Sequence, residues 1–383
     1  MGKTLNTALS LETRVSEAQR QKKIGFLISP TGQEDLQKPS SFLPVLHGKA
    51  TDSIATMAGS RVEENRLNNT GIVESGEVRL VIEKFNELSG TLGVSTHKLL
   101  STAVANFTAQ NHTGTKARQA NFTAINIPLR EYALYCGYDV LEHETATEEE
   151  AKAEALRAKR ALDNARRKIN KDLAILFSSS LSWTEKVRGK QGDYMDIRLV
   201  EAKGVRNGYI QIRFSQTFSE YLIKLPITQY PVALLAVDER NNNAYAMGLK
   251  FTEHFNMDNN QIRGTAQLLK VKTLLELTTL PKADSSTVKR VGWETRIKEP
   301  FENSLDALTA CGLLESWEYS HPKGEAMTDE EATNWGSYEE WANALIHFTL
   351  KDAPDHKARL EARAEEKKQA QKKTRRTTKK KTG

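Results

Sequence analysis

Between positions 162 and 176 the chain sets Leu162, Ala165, Ile169, Leu173 and Leu176 at intervals of three, four, four and three residues. That is the spacing of one face of an α-helix. About twenty residues further on, the period drops from 3.6 to 2. Residues 196–200 and 209–214 alternate apolar and polar side chains, with Gly204 and Gly208 between them as turn formers. A long helix with one apolar side, followed by short alternating strands, predicts an α+β fold, mostly helical. The helix buries one face and leaves the other to solvent.

The face opposite the apolar stripe carries Arg160, Asn164, Arg167 and Lys171 at i, i+4, i+7 and i+11, with Lys168 beside them. A helix fits the major groove of duplex DNA, where Arg and Lys reach guanine acceptors or phosphates and Asn pairs with adenine. The alternative is an ordinary solvated basic face. An acidic stretch at 142–150 leads into this helix and suits the positive end of its dipole. Upstream, residues 78–88 read as a helix broken by Gly90 and Gly93. Ser95 or Thr96 then caps a second helix with Leu100, Val104 and Phe107 inward. Residues 128–137 read as a short helix with Pro at its start and Gly past its end. Downstream, a strand at 183–187 enters a turn at 188–192 whose Lys186, Arg188 and Lys190 suit phosphates or a minor groove.

The order of helices and then hairpin recurs. Residues 243–255 and 271–277 read as helices, and 293–310 as a long helix with Ile297, Phe301, Leu305 and Leu308 inward and Gly312 as its stop. Two apolar strands, 314–319 and 344–350, follow with a polar insertion at 321–341 between them. The outward side of the 293–310 helix offers Arg296, Lys298 and Asn303 as a second reading set, diluted by Glu299, Glu302 and Asp306.

Charge is concentrated at one end. From Lys357 onward twelve Lys/Arg face three Glu, whereas the whole chain carries only +6, so everything before the tail is slightly acidic. Overall basicity therefore argues nothing about the folded part, and the tail suits sequence-independent phosphate contact. Residues 1–75 are rich in Ser, Thr, Gln, Asn and Gly and read as a flexible leader with two short apolar patches, 24–28 and 42–46.

Several chemistries find no support. The longest apolar run, 231–237, is far short of the roughly 20 residues of a membrane span, and the first residues lack the pattern of a secretory signal. Cys136 and Cys311 are the only cysteines, too few for a disulfide framework, and read as small core residues. No phosphate-cradling G-x-x-x-x-G-K-[ST] motif occurs. No two of the eight histidines are separated by a single residue, as paired-histidine nicking sites require. The expectation is a cytoplasmic protein without catalytic activity, cofactor or metal.

Residues 214–222, followed by 244–255, resemble the junction between two winged-helix domains of bacterial plasmid replication initiators, as do residues 293–319 with Ile297, Pro300, Phe301 and Leu305. The resemblance spans roughly 76–350 and rests on element order and apolar spacing. It implies two tandem winged-helix domains at 76–225 and 226–352, between the leader at 1–75 and a basic tail at 353–383. It further implies binding to repeated double-stranded origin DNA, recruitment of a host replication initiator and helicase, and exchange between monomer and homodimer. A repressor or partition factor of the same fold is the nearest rival, and a DNA-nicking enzyme a more distant one.

Overall fold

The computed structural model describes residues 42–353 apart from 47, 59–61, 89–91, 112–123, 144, 188–189, 286–287, 289–291 and 322–323. The basic tail, the first part of the expected leader and Arg188 lie outside the described residues. The architecture is mixed α+β.

The chain opens with strand β1 (Phe42–Leu46) and helix α1 (Lys49–Met57), then strands β2 (Glu63–Asn65), β3 (Thr70–Ser75) and β4 (Val78–Glu83). Two expectations are corrected here. Residues 42–75 are not structureless: Leu43 and Leu46 are buried, and α1 buries Ile54 and Met57. β1 pairs with β10, nearly two hundred residues downstream, so no local period announces it. Residues 78–88 are not a helix either. Val78, Leu80 and Ile82 are buried while Arg79 and Glu83 are exposed, the period-2 alternation of a sheet with one covered face. Gly76, at φ +60, makes the turn from β3, and only residues 85–87 form a 3₁₀ turn.

Next come α2 (Val94–Asn111), β5 (Ile125–Pro128), α3 (Leu129–Tyr135) and the long α4 (Glu148–Phe177). Four strands follow: β6 (Ser179–Val187), β7 (Lys190–Arg198), β8 (Val200–Arg206) and β9 (Tyr209–Phe214), then the short α5 (Gln216–Leu222). The strands separate into two sheets. β6 and β7 complete a five-stranded sheet of order β2-β3-β4-β6-β7, whereas β8 and β9 join β5 in the order β5-β9-β8. The β6–β7 hairpin, whose last pair is Val187↔Lys190, therefore belongs to the five-stranded sheet, and the tip of the sheet that closes on α4 is Asn207-Gly208.

A connecting segment holds β10 (Ile227–Pro231), paired antiparallel with β1, and a 3₁₀ turn at Val232–Ala236. The second series is α6 (Asn242–Asn256), α7 (Asp258–Arg263), β11 (Leu268–Lys270), α8 (Val271–Leu275) and α9 (Glu299–Ala310). After these come β12 (Leu314–Ser320), α10 (Asp329–Thr333), α11 (Tyr338–Asn343) and β13 (Leu345–Leu350). The expected single helix over 293–310 starts with a wide π turn at Glu294–Lys298, where the Glu299 N–H donates to the carbonyl of Glu294. Pro300 has no N–H to give the regular ladder, which accounts for the irregularity beside it.

The third sheet has the order β11-β13-β12. In both series the strand before the short helix pairs with the last strand of the hairpin. The recurrence inferred from element order thus extends to strand topology. One continuous apolar core links the two series.

Candidate nucleic-acid interface

Helix α4 begins with a capping box. Thr147 accepts from the Glu150 N–H while the Glu150 side chain accepts from the Thr147 N–H, and Glu148, Glu149 and Glu150 occupy the first turn. Ala165, Ile169, Leu173 and Leu176 are all buried, each larger side chain stabilising the packing by about 1.5–3 kcal/mol. Near its C-terminal end the helix is also fastened by polar bonds. Asp172, 4% exposed, accepts from Ser95 Oγ at 2.9 Å and Thr96 Oγ1 at 2.8 Å, both in the first turn of α2. Burial pushes its carboxyl up to about 6.

With one side so held, the other presents Arg160, Asn164, Arg167 and Lys171 to solvent. They span twelve residues, about 16 Å of helix, roughly the length a helix lays along a groove. The Arg167 guanidinium donates to Asn164 Oδ1, and the exposed Asn164 amide N–H groups have no hydrogen bond among the described residues. Arg160 and Lys171 have no hydrogen bond or ion pair among the described residues. Lys168 differs: it is half-buried and pairs with Glu239 of the connecting segment at 3.3 Å, which neutralises it.

The β8–β9 hairpin stands beside this helix, because the Arg166 guanidinium donates to the Val205 carbonyl at 3.4 Å. Asn207 (φ 50) and Gly208 (φ 78) form its tip, the positive-φ pair of a type I′ turn. Residues 198–214 carry four Lys/Arg against one Glu, so the hairpin favours phosphate. Arg213 pairs with Glu201 at 2.7 Å and Arg198 with Glu83 at 3.1 Å. Arg206, exposed at the tip, has no such partner among the described residues. The sequence reading missed Arg206 and Lys203 because it took the earlier hairpin as the neighbour of α4. The dipeptide Asn207-Gly208 between alternating runs was the available signal.

The second series is electrostatically different. Arg296 and Asn303 are exposed, but Glu294, Glu299 and Asp306 are exposed around them. Lys298 is half-buried and pairs with Glu302 at 3.4 Å. Residues 314–350 hold eight Asp/Glu and one Lys, a surface that repels phosphate. The side chain of Lys190 and all of Arg188 lie outside what the structure describes.

Burial pushes the thiols of Cys136 and Cys311 up to about 11, the behaviour of packed rather than reactive cysteines. Among the described residues no cluster of three or more His, Cys, Asp or Glu could hold a metal ion, and no helix is long and apolar enough to cross a membrane. Comparison with known protein families, curated proteins and solved structures finds no match to this chain.

Proposed function

We propose that the chain is a non-enzymatic replication initiator of the plasmid type, cytoplasmic, with two tandem winged helices that bind repeated double-stranded origin DNA. The observation that carries this reading is the rigidly anchored helix α4. Its unburied face offers Arg160, Asn164, Arg167 and Lys171 beside a basic hairpin tip. In this reading α4 lies in a major groove, Arg206 meets the flanking phosphates, and the second series contributes Arg296 and Asn303 over a smaller footprint. The strand order shared by the two series supports the tandem winged-helix description. Recruitment of a host initiator and helicase, and a homodimeric form away from DNA, belong to the same proposal.

Selection of duplexes from a random-sequence library by the full chain tests the DNA reading. Fluorescence anisotropy on the enriched duplex then compares Arg167→Ala with wild type. A loss of about 1–3 kcal/mol on the selected duplex, larger than the loss on a scrambled one, is the expected result. Equal loss on both reassigns Arg167 to backbone contact. A plasmid carrying only this gene and its upstream DNA must maintain itself if the chain initiates replication; simple repression of its promoter without maintenance favours a regulator instead.

A further inference from the structure

The segment joining the two series is held from both sides. On one side lies β1, whose five residues pair with β10 from Phe42↔Pro231 to Leu46↔Ile227, with Leu43 and Leu46 buried. Directly after β1 the backbone runs tight against the first series. A Cβ on Gly48 would come within 2.6 Å of both Leu225 Cδ2 and the Tyr221 hydroxyl. On the other side stands Lys98 of α2, 1% exposed. Its ammonium donates to the carbonyls of Leu235 at 2.9 Å and Val237 at 2.5 Å, and it sits 5.9 Å from the centroid of the Tyr245 ring in α6. Next to it, His97 Nδ1 lies 2.6 Å from the Tyr245 hydroxyl, itself 3.0 Å from that of Tyr230 in β10.

A buried ammonium is costly to desolvate even with the carboxylates of Glu239 and Asp238 near enough to favour its charge, and an apolar side chain of similar length would spare that cost. What the lysine adds is direction: it holds the carbonyls of Leu235 and Val237 in the connector against the first helix of the other series. We infer that β1 and Lys98 together clamp the connector so that the two series keep one mutual orientation, and that this clamp sets the half-site spacing the chain accepts on DNA. The spacing part rests on the DNA-binding reading above; the clamp part does not. Lys98, Leu43 and Leu46 are in this sense positioning residues for DNA recognition.

Two measurements on the full chain separate these parts. Nitroxide labels at Thr217→Cys and Glu315→Cys, with Cys136→Ala and Cys311→Ala, report the distance between the series by pulsed electron resonance. The unaltered connector is expected to give one narrow distribution, and Lys98→Met one at least twofold wider with an unchanged circular dichroism spectrum. Leu43→Ala/Leu46→Ala, combined with Lys98→Met, is expected to widen it further. An unchanged narrow distribution for Lys98→Met overturns the clamp, whether or not the triple variant folds well enough to be read.

The second measurement uses the duplex selected by the unaltered chain, with about 5 bp, half a helical turn, inserted between its half-sites. Wild type is expected to lose at least tenfold in affinity and Lys98→Met no more than threefold. Equal penalties, with a widened distance distribution, overturn the spacing role while leaving the clamp. Failure of the chain to select any duplex overturns the DNA reading and the spacing role together, and the distance distributions still decide the clamp.

Discussion

Replacing Asp172 by Asn isolates a single buried proton. In the folded chain its carboxyl holds that proton up to about pH 6, whereas the ordinary carboxyl of the unfolded chain releases it near 3.8. Between those two values the native state binds more protons than the unfolded one, so stability falls as pH rises, and the penalty is complete above pH 6. Roughly two pH units of displacement correspond to ~3 kcal/mol. Asn keeps both hydroxyl bonds, because Ser95 and Thr96 donate to the same Oδ1, but it has no charge to desolvate. His97 works in the opposite sense: burial lowers its imidazole from 6.5 to about 4, so its contribution to stability grows as pH rises through that window. The two trends offset each other in the wild type. Urea unfolding followed by tryptophan fluorescence, from about pH 4 to about pH 7, therefore has a definite expected outcome. Asp172→Asn gains ~3 kcal/mol on wild type across the range, and its own curve climbs with pH. A difference that stays constant with pH would refute the argument.

Other substitutions probe packing and charge separately. Gly248→Ala would place a Cβ 2.5 Å from Leu234 Cδ2 and 2.9 Å from Leu313 Cδ2, so a net loss of about 1–2 kcal/mol is expected in thermal unfolding despite the better helix propensity of alanine. Trp341→Phe removes the 2.7 Å bond from Nε1 to the Tyr319 hydroxyl inside the second series, and the denaturation midpoint should fall by the equivalent of about 1–3 kcal/mol. Arg206→Ala should leave the melting temperature unchanged. In the proposed complex it lowers the slope of log affinity against log salt by about one, measured by anisotropy at several salt concentrations.

How much of this was legible depended on where each residue's partner lies. Helix α4 could be read directly, since Ala165, Ile169, Leu173 and Leu176 all fall on one local face and the cap at Thr147 is three residues from Glu150. The alternation in β8 and β9 was readable for the same reason. The choice of hairpin was not: both β6–β7 and β8–β9 alternate, and only the pairing of Ile125 with Ile212 distinguishes them. β1 was read only as an apolar patch of the leader, because the strand that pairs with it lies nearly two hundred positions later. β4 was misread because Val78 to Glu83 offers few residues for a period to declare itself. In the candidate interface, exposure of Arg160 and Arg167 followed from the stripe. The neutralisation of Lys168 by Glu239 did not, since no local pattern brings the connector to that turn.

The five-stranded sheet has a consequence for the chain as it is made. β4 finds its inner neighbour only when Leu80 meets Leu181, about a hundred residues downstream. Until translation has passed that point, β4 with Val78, Leu80 and Ile82 belongs to a ribbon whose inner edge is open, the condition in which nascent polypeptides stick to one another. Slow codons between the two halves of this sheet would lengthen that vulnerable interval, and the yield of native protein should track how quickly the ribosome crosses it.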